Sequence, residues 1–150
     1  MSIAKKIFYL FLPILLGSIV GFIISGNIDY NELIQPALAP PSWLFPIMWS
    51  IIYLLMGFSY YLTKKEKENL ESVDILYYTQ LIVNLFWSII FFILKAKFFA
   101  CIWIILLDIL VVIMIYWFYH IKKTSAYLNI IYMIWILFAT YLTFGIYILN

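Results

Sequence analysis

The sequence contains no arginine, one cysteine, one histidine and only five glycines in 150 residues, and just 11% of it is charged. Each shortage excludes something. Nine lysines against seven acids give a net charge of +2, too weak and dispersed for a nucleic-acid footprint. Cys101 alone can form neither an intramolecular disulfide nor a multi-cysteine metal site. A small apolar core residue is the simplest reading of it. His120 sits at a helix end beside Lys122 and Lys123, so no axial ligand for a mid-membrane iron is evident, and no metal site is expected. There is no Ser-His-Asp arrangement, glycine-rich phosphate loop or pair of intramembrane carboxylates.

What remains is apolar and aromatic. The chain is 67% hydrophobic, with a mean hydropathy of +1.08. Thirteen Phe, thirteen Tyr and six Trp make up 21% of it. A soluble domain is about one-quarter charged, so this is an integral membrane protein. An α-helix needs about 20 apolar residues to cross a bilayer. Five segments qualify, at 7–25, 43–63, 75–94, 98–119 and 125–149, and predict an all-α five-helix bundle in one domain. Lys5 and Lys6 before the first run resemble the basic region of a signal peptide, but no small-residue cleavage pattern follows, and the run is read as a retained helix. If the N-terminus is inside, Lys5, Lys6, Lys64, Lys65, Lys67, Lys122 and Lys123 lie on the inner side and only Lys95 and Lys97 on the outer. That bias predicts N-in, C-out. The AT-rich residue usage points to a bacterial plasma membrane.

The first connection, 26–42, is long for such a bundle, and long loops are usually functional or disordered. Four of the five prolines, Pro36, Pro40, Pro41 and Pro46, fall in and just after it, which stiffens the backbone. Tyr30, Leu33, Leu38 and Trp43 argue against a solvated linker, so the loop is expected to fold back as a lid. In the first helix Pro13, Gly17, Gly21 and Ser25 recur every four residues and share a slowly drifting face. That face suits close helix packing, with ligand contact as the alternative.

Polar residues deep in the helices are few. Gln80, Asn84, Trp87, Phe91 and Leu94 share one face of the third helix. For Asn84, interhelical glue and ligand contact both remain open. Asp108 is the single acid at membrane depth, a functional candidate by default or a hydrogen-bonded tie between helices. Trp49, Tyr53, Trp87, Phe91 and Trp135 are central enough to line one cavity, although bundle packing or an interfacial belt explains any one of them alone.

The string P-x-x-x-P-P-x-W-x-x-P-x-x-W-x-x-x-Y-x-x-M-G from Pro36 to Gly57 resembles the TspO/translocator-protein family. So do Gln80, Asn84 and Trp87 before Phe91 and Phe92, Asp108 within LLDILV, and W-x-x-F-A-T-x-L from Trp135 to Leu142. The resemblance covers essentially the whole chain. It implies a five-helix bundle that dimerises with a second copy. It also implies binding of porphyrins such as protoporphyrin IX, isoquinoline carboxamides and benzodiazepine-type drugs, with no required cofactor. Light- and oxygen-dependent porphyrin breakdown would follow, with Trp49 and Trp135 the candidates for photochemistry; a carrier for such ligands is the alternative. The implied pocket is Tyr30, Trp49, Tyr53, Asn84, Trp87, Phe91, Trp135 and Ala139, beneath a lid holding Pro40 and Pro41. The chain departs from the family pattern at Asp29, Leu38, Ile131 and Thr143.

Overall fold

The computed structural model describes all 150 residues. Five long helices, Ile3–Ile24 (α1), Leu44–Glu66 (α2), Glu71–Ser88 (α3), Lys97–Ile121 (α4) and Lys123–Leu149 (α5), make the bundle. All five are long and apolar enough to cross a membrane. The 22 residues of α1 rise about 33 Å at 1.5 Å each, enough for a hydrocarbon core of about 30 Å. The ends of α1, α2, α4 and α5 lie within about a turn of those expected, whereas the α-helical part of α3 stops at Ser88, short of 94. Short loops force antiparallel neighbours, as between α4 and α5, where Lys122 alone separates the helices.

The helices form a ring. α1 packs on α2, α2 on α5, α5 on α4 and α4 on α3, and the ring closes between α3 and α1 through much the sparsest contact. Most of α1 faces outward: Ile7, Phe11, Leu15, Ile19 and Phe22 are exposed, as lipid-facing side chains should be. α1 and α2 touch where a glycine permits it. A Cβ on Gly57 would collide with the backbone carbonyl of Leu10.

At its loop end α3 changes pitch. Residues Ile89–Ile93 form a π-helical turn, with Leu94 N–H bonded to the Ile89 carbonyl at 3.0 Å. Such turns insert an extra residue and re-aim the side chains beyond them, often at functional sites. Lys95 then takes a positive φ of 52° to reverse the chain into α4.

The 26–42 connection does fold back. It carries two 3₁₀ turns, Ser25–Asn27 and Tyr30–Glu32, and is fastened to α5. The Asn150 side chain pairs with both the N–H (3.1 Å) and the carbonyl (2.8 Å) of Ile34. Tyr141 donates to the Ala37 carbonyl at 2.6 Å, and Pro36 covers Gly145. Asp29, one of the departures from the family pattern, pairs with Lys95 at 3.6 Å. Leu38 stands at the tip, 87% exposed, in the left-handed region at φ 66°, which ordinarily favours glycine.

Candidate functional site

Beneath this connection, among α1, α2, α3 and α5, lies a cavity of about 400 Å³, within the usual size range for small-molecule sites. One wall is the i, i+4, i+8 face of α2, formed by Phe45, Trp49 and Tyr53. Trp87, Phe91 and Phe92 of α3 form the second, the latter two turned inward by the π-helical turn. On α5, Ala139, Leu142, Thr143 and Ile146 supply the third. Ala139 leaves room where a larger residue would fill it. The small-residue face of α1 completes the enclosure, and its two glycines differ. A Cβ on Gly17 would run into the Tyr53 ring, whereas one on Gly21 would meet nothing.

The exposed members of this lining are Ser18, Gly21 and Ser25 on α1, Ile28, and Pro46 and Ser50 on α2. The mouth therefore opens sideways between α1 and the start of α2, towards the bilayer. The hydroxyls there are satisfied within their own helices: Ser18 donates to the Ile14 carbonyl and Ser50 to the Pro46 carbonyl, both at 2.7 Å.

Of the residues expected from sequence, Tyr30, Trp49, Tyr53, Trp87, Phe91 and Ala139 all line this cavity. Tyr30 reaches in from the connection, and its hydroxyl donates to the Pro40 carbonyl at 2.9 Å. Burial pushes its phenol pKa up, so it stays a neutral donor and holds the loop closed. Pro40 and Pro41 are outside the lining; Pro40 acts as that hydrogen-bond acceptor. Trp135 also lies outside, as a backing layer. Its ring meets Trp49 edge-on at 6.1 Å and Phe45 at 5.9 Å, one turn along the same α5 face from Ala139. Phe45, which the sequence reading passed over, takes the place nearer the cavity, and its four-residue spacing from Trp49 was the available signal.

Asn84 sits just outside as well, and its valences are spent on other helices. Its Oδ1 accepts from Tyr53 at 2.6 Å and its Nδ2 donates to Tyr132 at 2.8 Å, while Tyr132 donates to Gln80 at 2.8 Å. This chain ties α2, α3 and α5 together below the cavity, which is the glue alternative. Asp108 is likewise remote. One carboxylate oxygen accepts from Thr140 at 2.7 Å, joining α4 to α5, and the other is buried without a partner. Among the departures from the family pattern, Thr143 lines the cavity, whereas Ile131 is exposed on the outer face of α5.

A model of the TspO/MBR family matches residues 9–149. The chain belongs to the TspO/MBR family. It is 35% identical to the tryptophan-rich protein TspO of Archaeoglobus fulgidus, across 100% of this chain and 99% of that protein. It is 36% identical to the Chlorobaculum tepidum protein of the same name, over 81% and 78% of the two chains. The human translocator protein is 27% identical over 79% of this chain and 72% of its own. Family membership and the five spans make this an integral membrane protein in a lipid bilayer.

Proposed function

We propose that this protein binds a flat apolar tetrapyrrole of the protoporphyrin IX type, entering from the bilayer and lying against Trp49 and Trp87. The cavity wall carries the reading: two aromatic walls, on α2 and α3, with Ala139 of α5 leaving a recess beside them. Burial of a macrocycle there would drive affinity, and ring contacts add about 0.5–1.5 kcal/mol each beyond burial. Isoquinoline carboxamides and benzodiazepine-type drugs, being flat and apolar, fit the same chemistry. Under light and oxygen the bound porphyrin is broken down beside Trp49, with Trp135 behind it. The lysine bias favours an inside N-terminus, the residue usage fits a bacterial plasma membrane, and the functional unit is a homodimer.

A carrier needs a continuous path between leaflets. The hydrogen-bonded layer of Tyr53, Asn84 and Tyr132 closes the cavity from the inner half of the bundle, which favours binding over transport. The deciding experiment is an absorbance and fluorescence titration with protoporphyrin IX, in darkness and then under illumination. Replacing Trp87 by Leu should weaken binding about tenfold, and Trp49→Phe should slow the light-dependent loss. Unchanged affinity and unchanged bleaching in both variants would overturn the stacking pocket.

A further inference from the structure

Below the cavity runs a column of buried tyrosines that ligand binding leaves unused. We propose that this column drains oxidising equivalents from the cavity tryptophans to Tyr60, whose phenolic proton passes to Asp74. The inference rests on the photochemical reading of the cavity and adds a terminus to it.

The column has two contacting groups, joined along α3 by the one-turn spacing of Tyr77 and Gln80. Trp49 lies 6.4 Å from Trp87, 6.1 Å from Trp135 and 5.7 Å from Tyr53, on which it stacks. Tyr53 connects through the Asn84 amide to Tyr132, whose hydroxyl is held by Gln80. One turn back towards the start of α3 from Gln80, Tyr77 lies flat on Tyr60, with ring centres 3.8 Å apart and planes within 5°. Tyr60 then donates to Asp74 at 2.6 Å, and Lys64 holds both oxygens of that carboxylate at 3.0 and 2.9 Å.

Proton acceptors set the direction. The indole nitrogens of Trp87 and Trp135 and the Tyr77 hydroxyl are buried without a partner. An oxidised indole with no base nearby keeps its proton and remains a strong oxidant. Tyr53 and Tyr132 donate only to side-chain amide oxygens, which are very weak bases. Tyr60 is the tyrosine whose hydroxyl meets a carboxylate. Oxidation there can be coupled to proton loss, so the hole comes to rest at Tyr60.

A photoexcited tetrapyrrole takes one electron from Trp49 and becomes its radical anion. Trp49, now a radical cation, is refilled by an electron from Tyr60. The Tyr60 O–H proton moves to Asp74, leaving a neutral phenoxyl radical and a neutral carboxylic acid. A water-soluble one-electron donor, such as a thiolate or ascorbate, returns the electron while Asp74 returns the proton. An open cleft at the N-terminal end of the bundle, lined by Lys64, Asp74 and Tyr78, gives such a donor access to the Asp74 edge.

The test uses the full chain in lipid nanodiscs with bound protoporphyrin IX, followed by transient absorption and electron paramagnetic resonance after a flash. The indole radical should decay as a tyrosyl radical appears. Tyr60→Phe, which keeps the ring stack, should abolish the tyrosyl signal and prolong the indole radical about tenfold, and Asp74→Asn should prolong it by a similar factor. Tyr61→Phe, on the neighbouring residue, should leave both signals as they are. A tyrosyl radical that survives Tyr60→Phe, or none where an indole radical forms, overturns the proposal. Absence of porphyrin quenching during the initial titration defeats the binding reading instead. Azide radicals from pulse radiolysis, which oxidise tryptophan without any ligand, then read the column directly. Indole-radical decay that depends on Tyr60 supports it, and decay that does not overturns it.

Discussion

At the loop end of the bundle, Trp49, Trp87 and Phe91 face a cavity of about 400 Å³. At the N-terminal end, Tyr60 and Tyr77 lie flat against each other with 3.8 Å between ring centres. Both regions are aromatic, yet one keeps space and the other removes it. The difference comes from what surrounds the rings. Around the cavity stand Gly21, Ala139 and serines that bond within their own helices, so nothing bulky fills the gap. At the other end, Tyr9 meets Tyr60 edge-on at 5.1 Å, Phe118 flanks Tyr77 and the Lys64–Asp74 pair caps the stack. One region keeps a space of small-molecule size, and the other packs α1, α2, α3 and α4 against one another.

Gly57 and Gly21 separate the two regions most strongly. Gly57 sits where α1 and α2 touch backbone to backbone, and a Cβ there meets a carbonyl that cannot rotate away. Gly57→Ala should destabilise the protein by about 3 kcal/mol, the upper part of the overpacking range. Gly21→Ala adds the same methyl in open space and should stay within about 0.5 kcal/mol of the parent, like an ordinary surface change, while narrowing the cavity mouth. Thermal unfolding in detergent measures both. Equal losses would mean that the cavity end is as tightly packed as the other.

Asn84 lies on the boundary between the regions and tests where that boundary is. Asn84→Leu removes the acceptor of the Tyr53 hydroxyl and should cost about 1–2 kcal/mol, as for other interhelical hydrogen bonds in membranes. Because its side chain bonds to Tyr53 and Tyr132 rather than lining the cavity, porphyrin affinity of the folded fraction should hardly change. A tenfold loss of affinity with stability intact would move Asn84 to the ligand side.

The spans were readable because twenty apolar residues in a row have few other uses. The cavity walls were partly readable, since Trp49 with Tyr53 and Trp87 with Phe91 follow helical spacing. Spacing reports which face a residue shares but not how deep the facing helix sits. For that reason Trp135 and Phe45 changed places. The π-helical turn at Ile89–Ile93 shifts the phase of α3 with no breaker residue to announce it. Tyr60 and Tyr77 were invisible as a pair, because single tyrosines near helix ends look like an interfacial belt. Gly57 read as part of a motif, and only the approach of Leu10 explains its size.

The weakest link tests how α1 is held at the crowded end. Away from Gly57 it meets α3 only sparsely, and Lys5 reaches Glu68 in the α2–α3 connection at 3.1 Å, with both side chains half exposed or more. The hydrogen bond from Lys5, then its charge, holds the Glu68 carboxyl below the usual glutamate range. A carboxyl depressed in the folded state contributes stability above its unfolded pKa and loses it as pH falls through the folded value. The tie between α1 and the connection should therefore persist at neutral pH and be lost below about pH 4. Lys5→Ala should remove that part of the acid dependence and change little at pH 7, because exposed pairs are screened by solvent and salt. Hydrogen exchange along residues 67–70 is the measurement: protection that falls on acidification in the parent but not in Lys5→Ala assigns the tie to this pair. Identical acid profiles would leave the packing around Gly57 as what holds α1 in place.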